Sequence, residues 1–340
     1  MPEHRRLGRL ALLVAGLLLG GGIIAQTEGR YRNKEAQLHT TPVFEPTGVK
    51  YAYATPPEPG VIRGWVAGMV PPSRRVGVER IVALGDSITY GLGVDRASAW
   101  PAALERALDH TEVFNLAMCG WDAEQSISLA VGELDRWQPD MVIWGSYSND
   151  VLPSYLMWGA NDDHPVFVGS SIPDEVAVLP APIALWMVRH SALFRKFQAG
   201  RMSRAMKQGL QLGPQLDWYQ AQLARLARWS DQSGTPVLTL AIPAHTQAAP
   251  ERCTEFISAR DCEHQASQYR TLTEALGRSG LQWVDGQKIY AATGQPHFML
   301  RPGESIGQGS WENDAEHPTA AGHTALAAGL VPGVVAALHR

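Results

Sequence analysis

Ser87 stands in ALGDSITYGLGV, directly after a short apolar run and just before a glycine-containing turn. In open α/β sheets ligands gather at the carboxyl ends of the strands. A serine hydroxyl placed there becomes a nucleophile once a general base accepts its proton and nearby donors stabilise the developing oxyanion. Near the C-terminus, WENDAEHPTAAGH offers Asp314 and His317 at D-x-x-H spacing. That spacing lets the carboxylate hold one imidazole nitrogen while the other faces the serine. Between them lie NLAMCGWDA with Gly120 and WGSYSNDV with Asn149. A glycine lets its N–H approach a substrate oxygen and an asparagine amide adds another donor, so Ser87 N–H, Gly120 and Asn149 form a candidate three-donor oxyanion hole. Taken singly, each of these is also a turn glycine, a turn-capping Asn or a surface D-x-x-H. Their order along the chain joins them. His323, six positions after His317, is assigned a structural role, and Asp86 and Asp150 are assigned to loop hydrogen bonds.

The elements that must position these residues are legible as short β-rich runs alternating with amphipathic stretches from residue 80 onward, the pattern of an α/β domain with a parallel sheet. Strands are expected at 80–84, 112–116, 141–145, 236–242 and 281–284. Helices are expected near 99–109, 122–137, 215–233, 264–279 and 319–338. About sixty residues, 152–214, exceed any ordinary connection and form an insertion. Its second half has no Asp or Glu between Val176 and Leu216 but carries Arg189, Arg195, Lys196, Arg201, Arg204 and Lys207. Trp186, Phe194, Phe197, Met202 and Met206 interleave at roughly helical spacing, which suggests a basic amphipathic helix lying on an anionic membrane surface or covering a site; an ordinary packed helix with a solvated basic face is the alternative.

The four blocks together resemble the SGNH, or GDSL-type, serine hydrolases: Ser87 in GDSIT, Gly120 after the second strand, Asn149 in SND, and Asp314 with His317 in DAEHPTAAGH. The resemblance spans about residues 80–338. It implies a three-layer α/β/α sandwich with a five-stranded parallel, flavodoxin-like sheet, and a triad of Ser87, Asp314 and His317. It also implies ester hydrolysis through an acyl-serine, without metal or organic cofactor. One position departs from the family pattern: Tyr147 stands where glycine is usual, two before Asn149.

The 340 residues are 45% hydrophobic and 18% charged, with 29 basic against 33 acidic side chains, a formal charge of -4. No Lys/Arg tract exceeds two residues, which argues against a nucleic-acid partner. Three cysteines without a CxxC pair do not support a structural zinc site. Cys253 and Cys262 could close a small loop in an oxidising compartment, leaving Cys119 over, or all three are buried thiols. At the N-terminus Arg5, Arg6 and Arg9 precede an apolar run, Leu10–Ala25, followed by a proline-rich stretch over 26–78. The run lacks a small-residue pair for cleavage, so residues 1–25 are read as an uncleaved anchor, 26–78 as a tether and 79–340 as an exported domain in the cell envelope; cleavage and secretion is the alternative. The expected activity is removal or transfer of a short acyl group, acetyl above all, on a carbohydrate or other envelope ester. Alternatives are a lipase or lysophospholipase at the membrane surface and a non-catalytic glycan-binding protein. The expected partners are an acylated small-molecule, glycan or lipid substrate.

Overall fold

The computed structural model describes residues 24–30, 43–44, 50–51, 71, 73–118, 121–152, 176–208, 210, 213–293 and 316–339. The anchor (save its last two residues), most of the tether, Cys119, Gly120 and Asp314 lie outside them. The chain falls into two units, Met1–Pro56 with Tyr155–Gln211, and Pro57–Ser154 with Leu212–Arg340.

In the second unit five strands form one sheet: β1 (Glu79–Gly85), β2 (Thr111–Asn115), β3 (Met141–Tyr147), β4 (Val237–Ile242) and β5 (Gln282–Asp285). Every pairing is parallel, in the order β2-β1-β3-β4-β5. The central strands β1, β3 and β4 read as nearly continuous apolar runs because both of their faces are covered; all seven residues of β3 are buried. The covering helices are α1 (Trp100–Ala107), α2 (Ala123–Glu133), α5 (Leu216–Ser233), α6 (Ala259–Arg278), α7 (Gly286–Thr293) and α8 (Ala320–Leu338). On one face Ile81, Ile143 and Leu240 join Trp100 and Leu104 of α1, Tyr290 of α7, and Leu326, Leu330 and Val334 of α8 in a single core. Strand alternation turns Val82, Val142 and Trp144 to the other face, where the Trp144 ring lies 6.0 Å from that of Tyr219 on α5. The three-layer sandwich expected from the sequence is therefore present. Helix α8 is long and apolar enough to cross a membrane by composition, but Leu326, Leu330 and Val334 are fully buried within the fold, so it serves as a core layer.

The first unit contains α3 (Ala181–His190) and α4 (Ala192–Lys207). The single basic amphipathic helix expected here is instead two helices broken at Ser191, whose extended backbone (φ -128°, ψ 116°) ends α3. The Ser191 hydroxyl then accepts from Phe194 N–H at 3.1 Å and so starts α4. Among the described side chains no continuous apolar stripe results, because Met202 is buried while Trp186 and Phe197 are exposed.

The carboxyl edge of the sheet depends on two facing glycines. Gly85 and Gly145 are direct partners across β1 and β3. A Cβ on either would run into the side chain of Thr89, and on Gly85 it would also lie 2.7 Å from the Gly145 carbonyl. Gly85 further adopts φ +151°, which L side chains rarely tolerate. Gly145→Ala should therefore lower stability by about 1–3 kcal/mol through overpacking, and adding Thr89→Ala should recover most of it. The same rescue should fail for Gly85→Ala, whose backbone strain remains. Urea unfolding of the four variants checks this, and equal rescue at both positions would exclude the steric account.

Candidate active site

Ser87 opens a one-turn helix, Ser87–Tyr90, immediately after β1. Asp86 caps it in an extended conformation, its side chain accepting from Ile88 N–H at 2.9 Å. Gly91 closes it in the left-handed region at φ 91°. The first N–H groups of such a turn have no partner within the turn itself. Asn115 at the end of β2 ties the turn down by donating its side-chain amide to Thr89 O at 2.8 Å.

His317 comes from the segment leading into α8 and is buried. Its Nε2 lies 2.8 Å from Ser87 Oγ, across 230 positions of sequence. For the serine to donate to that nitrogen, the imidazole must carry its proton on Nδ1. Asp314, expected to face Nδ1, lies outside the described residues. His323 is placed differently: fully buried, it accepts from Trp100 N–H through Nδ1 at 3.3 Å and so pins the first turn of α8 to the start of α1. Burial first, and the neighbouring His317 second, hold its imidazole down to about 4. The structure thus brings His317, not His323, to Ser87.

Asn149 lies in a 3-10 turn, Ser148–Val151, that follows β3. Since β1 and β3 are paired and level, this turn and the Ser87 turn emerge side by side from the same edge. Asn149 is exposed. Its turn is held from beneath by Asp150, whose Oδ2 accepts from Tyr147 N–H and from Ser146 Oγ, both at 2.9 Å. With its own proton donated to Asp150, Ser146 Oγ accepts from Tyr219 Oη, 2.7 Å away on α5. Ser146 and Tyr219 were not legible as site residues: a serine inside a strand and a tyrosine on a helix carry no spacing signal. Tyr147 needs no glycine's freedom, because its backbone is extended (φ -99°, ψ 163°) and its side chain enters the core.

Two acids are therefore buried, Asp86 next to Ser87 in sequence and Asp150 in the turn that carries Asn149. Burial pushes the Asp86 carboxyl up to about 6, against the Ile88 N–H and the His317 ring, which pull it down. Burial likewise puts Asp150 well above the ordinary carboxylate range, reinforced by the charge of Asp86. The loop between the His245–Ala248 turn and α6 carries a disulfide, Cys253–Cys262, which ties the Pro250–Glu255 turn to the first turn of α6. Helix α6 in turn packs on the Asn149 turn. Among the described residues no group of three or more His, Cys, Asp or Glu side chains is disposed to hold a metal ion.

Residues 83–325 match the family described as GDSL-like Lipase/Acylhydrolase. Among solved structures, TesA is 16% identical with a TM-score of 0.43, covering 76% of this chain and 99% of its own. A GDSL-like lipase from Bacteroides thetaiotaomicron is 13% identical with a TM-score of 0.39, covering 82% and 98%. A catalytic mutant of Axe2, an acetylxylan esterase from Geobacillus stearothermophilus, is 16% identical with a TM-score of 0.41, covering 77% and 96%. No curated protein sequence matches this chain.

The buried acids make a pH prediction. With its folded value raised from 3.8 to about 6, Asp86 binds its proton more tightly folded than unfolded. Its contribution to stability is complete below the unfolded value and is lost as pH rises to the folded one. Asp86→Asn keeps the acceptor for Ile88 N–H but cannot ionise. Relative to the parent it should gain stability on going from about pH 4 to about pH 7, by on the order of 3 kcal/mol. Chemical denaturation at the two pH values measures the difference; curves that stay parallel would mean Asp86 is not strained by its own charge.

Proposed function

We propose that this chain, which belongs to the GDSL-like lipase/acylhydrolase family, is a serine esterase that works through an acyl-enzyme on Ser87. The observation that carries the reading is the 2.8 Å contact between His317 Nε2 and Ser87 Oγ at the carboxyl edge of the sheet. In the first half-reaction Ser87 Oγ attacks the ester carbonyl as its proton passes to His317 Nε2. Asp314 orients the ring through Nδ1–H and stabilises the imidazolium. The tetrahedral oxyanion is received by the amides of Ser87 and Gly120 and by the Asn149 side chain. Collapse breaks the ester bond, and His317 returns the proton to the leaving alcohol. Water then repeats the sequence on the acyl-serine, releasing the acid. A sugar hydroxyl in place of that water would make the same site an acyltransferase.

The proposed substrate is a short-chain ester, acetyl above all, on an envelope carbohydrate or related compound. The compartment supports this: the basic start and apolar run Leu10–Ala25 suit an export anchor, and a Cys253–Cys262 disulfide suits an oxidising environment.

Ser87→Ala and His317→Ala should each reduce turnover by at least about a thousandfold, and the double variant should be no worse than either, because triad members act as a unit. Asn149→Ala should lower kcat about a hundredfold with little change in KM. Nitrophenyl esters of increasing chain length provide the assay. Activity that survives in Ser87→Ala would remove the acyl-serine mechanism; serine-dependent activity that rises with chain length would replace the short-acyl reading with a lipase.

A further inference from the structure

We propose that the surface formed by α3 and α4 rests on an anionic lipid bilayer, the same one in which the N-terminal apolar run is held. Six of the nine exposed large apolar side chains among the described residues belong to the first unit: Ile24, Val178, Leu179, Ile183, Trp186 and Phe197. Single exposed apolar residues are ordinary, whereas contiguous ones mark contact surfaces. On α3 two of the described exposed side chains are large and apolar: Ile183 and Trp186, 51% and 58% exposed, lie one turn apart. His190 follows at the next turn, its ring stacked on Trp186 at 4.8 Å. On α4 the described exposed positions Phe197, Gly200 and Arg204 follow one another at helical spacing.

The chemistry of the partner follows from charge. Between Val176 and Leu216 there are six basic residues and no acidic one. An indole among aliphatic side chains, within a one-signed basic stretch, suits the headgroup boundary, where tryptophan settles and each cation near an anionic surface gains about 1 kcal/mol. A second copy of the chain is a poor occupant, because a two-fold contact through this face would set like charges against each other.

Position supports the same conclusion. Glu28, three residues beyond the apolar run, accepts from Ser191 Oγ at 2.8 Å and from Leu193 N–H at 3.0 Å. The junction of α3 and α4 is therefore pinned to a point that three residues of chain, at most about 11 Å, separate from Ala25. With Leu10–Ala25 in the bilayer, both helices are held at its surface. Glu28 caps α4 in doing so.

The inference rests on the reading of Leu10–Ala25 as a membrane segment and is independent of the esterase reading. Its test uses the full chain in lipid nanodiscs of brominated phosphatidylcholine, with and without about 30% phosphatidylglycerol, and reads tryptophan quenching. The apolar run contributes no signal, because no tryptophan precedes Trp65. Trp186→Phe is expected to lose half or more of the lipid-quenched emission while keeping the parent's nitrophenyl acetate turnover. Arg204→Glu with Lys207→Glu is expected to reduce quenching in the phosphatidylglycerol discs and to leave it unchanged in phosphatidylcholine alone. Discs that incorporate the chain but give the same quenching for Trp186→Phe as for the parent would overturn the proposal. So would a concentration-dependent dimer that shields Trp186. Failure of the chain to enter discs at all would instead overturn the membrane-segment reading, and this proposal with it.

Discussion

The close seating of Thr89 over Gly85 and Gly145 is the contact on which the rest of the site depends. Neighbouring parallel strands run about 4.8 Å apart, and a side chain on either glycine would lift the Ser87 turn off the end of the sheet. With both glycines present, Thr89 is fully buried and the turn lies down across β1 and β3. Ser87 is thereby carried to the level of the Asn149 turn that leaves β3. The other half of the site is delivered from the far end of the chain by α8. That helix is held close by Gly333, where a Cβ would come within 3.2 Å of Leu238 on β4, and by the bond from Trp100 N–H to His323. The distance from His317 to Ser87 is thus the outcome of packing on both sides of the sheet's edge, not of any local spacing between the two residues.

The Asn149 turn is secured in a different way, through polar groups closed off from water. Asp150 gathers two donors, Ser146 and Tyr147, and Ser146 passes the chain of bonds on to Tyr219. A fully connected buried network fixes geometry because each partly satisfied alternative leaves a desolvated group behind. Helix α6 closes the turn from outside, and the disulfide fixes the beginning of that helix to the Pro250–Glu255 turn. Two kinds of restraint therefore meet at one exposed amide, a hydrogen-bond network below and a covalently tethered helix beside it.

Much of this was legible in the sequence, and the reasons for the exceptions are physical. All five strands stand within two residues of the segments read from apolar patterning, because a strand covered on both faces must be apolar throughout. Ser87, Asn149 and His317 were recognisable because each sits in a short motif next to a strand end or helix start. Helix α6 begins at Ala259, earlier than expected, since Ser258 caps it by accepting from Asp261 N–H, a local signal that the polar composition concealed. Helix α7, eight residues long, is too short for periodicity to reveal. The break at Ser191 depends on a carboxylate from residue 28, a contact 163 positions away. Thr89, Ser146 and Tyr219 act through contacts between strand, turn and helix that no linear pattern encodes.

The two ends of the sheet show why the buried acids near Ser87 are unlike the others. At the amino edge Arg80, itself buried, donates to Glu112 at 2.8 Å and to Trp137 O at 2.9 Å, and its guanidinium lies 5.1 Å from the Phe114 ring centre. Asp140 there is partly buried, which acts to raise its carboxyl, but the bonds from Arg74 and from Arg80 N–H outweigh that and hold it below the ordinary range. At the carboxyl edge Asp86 and Asp150 receive only uncharged donors among the described residues, and burial prevails. In the proposed mechanism a cation placed there to stabilise them would also repel the imidazolium formed when His317 takes the serine's proton. The raised acids have the opposite electrostatic consequence: whatever negative charge Asp86 carries favours a protonated His317. Among the described residues the ion pairs of the sheet thus stand at its amino edge, and at the edge bearing Ser87 no arginine or lysine is bonded to Asp86 or Asp150.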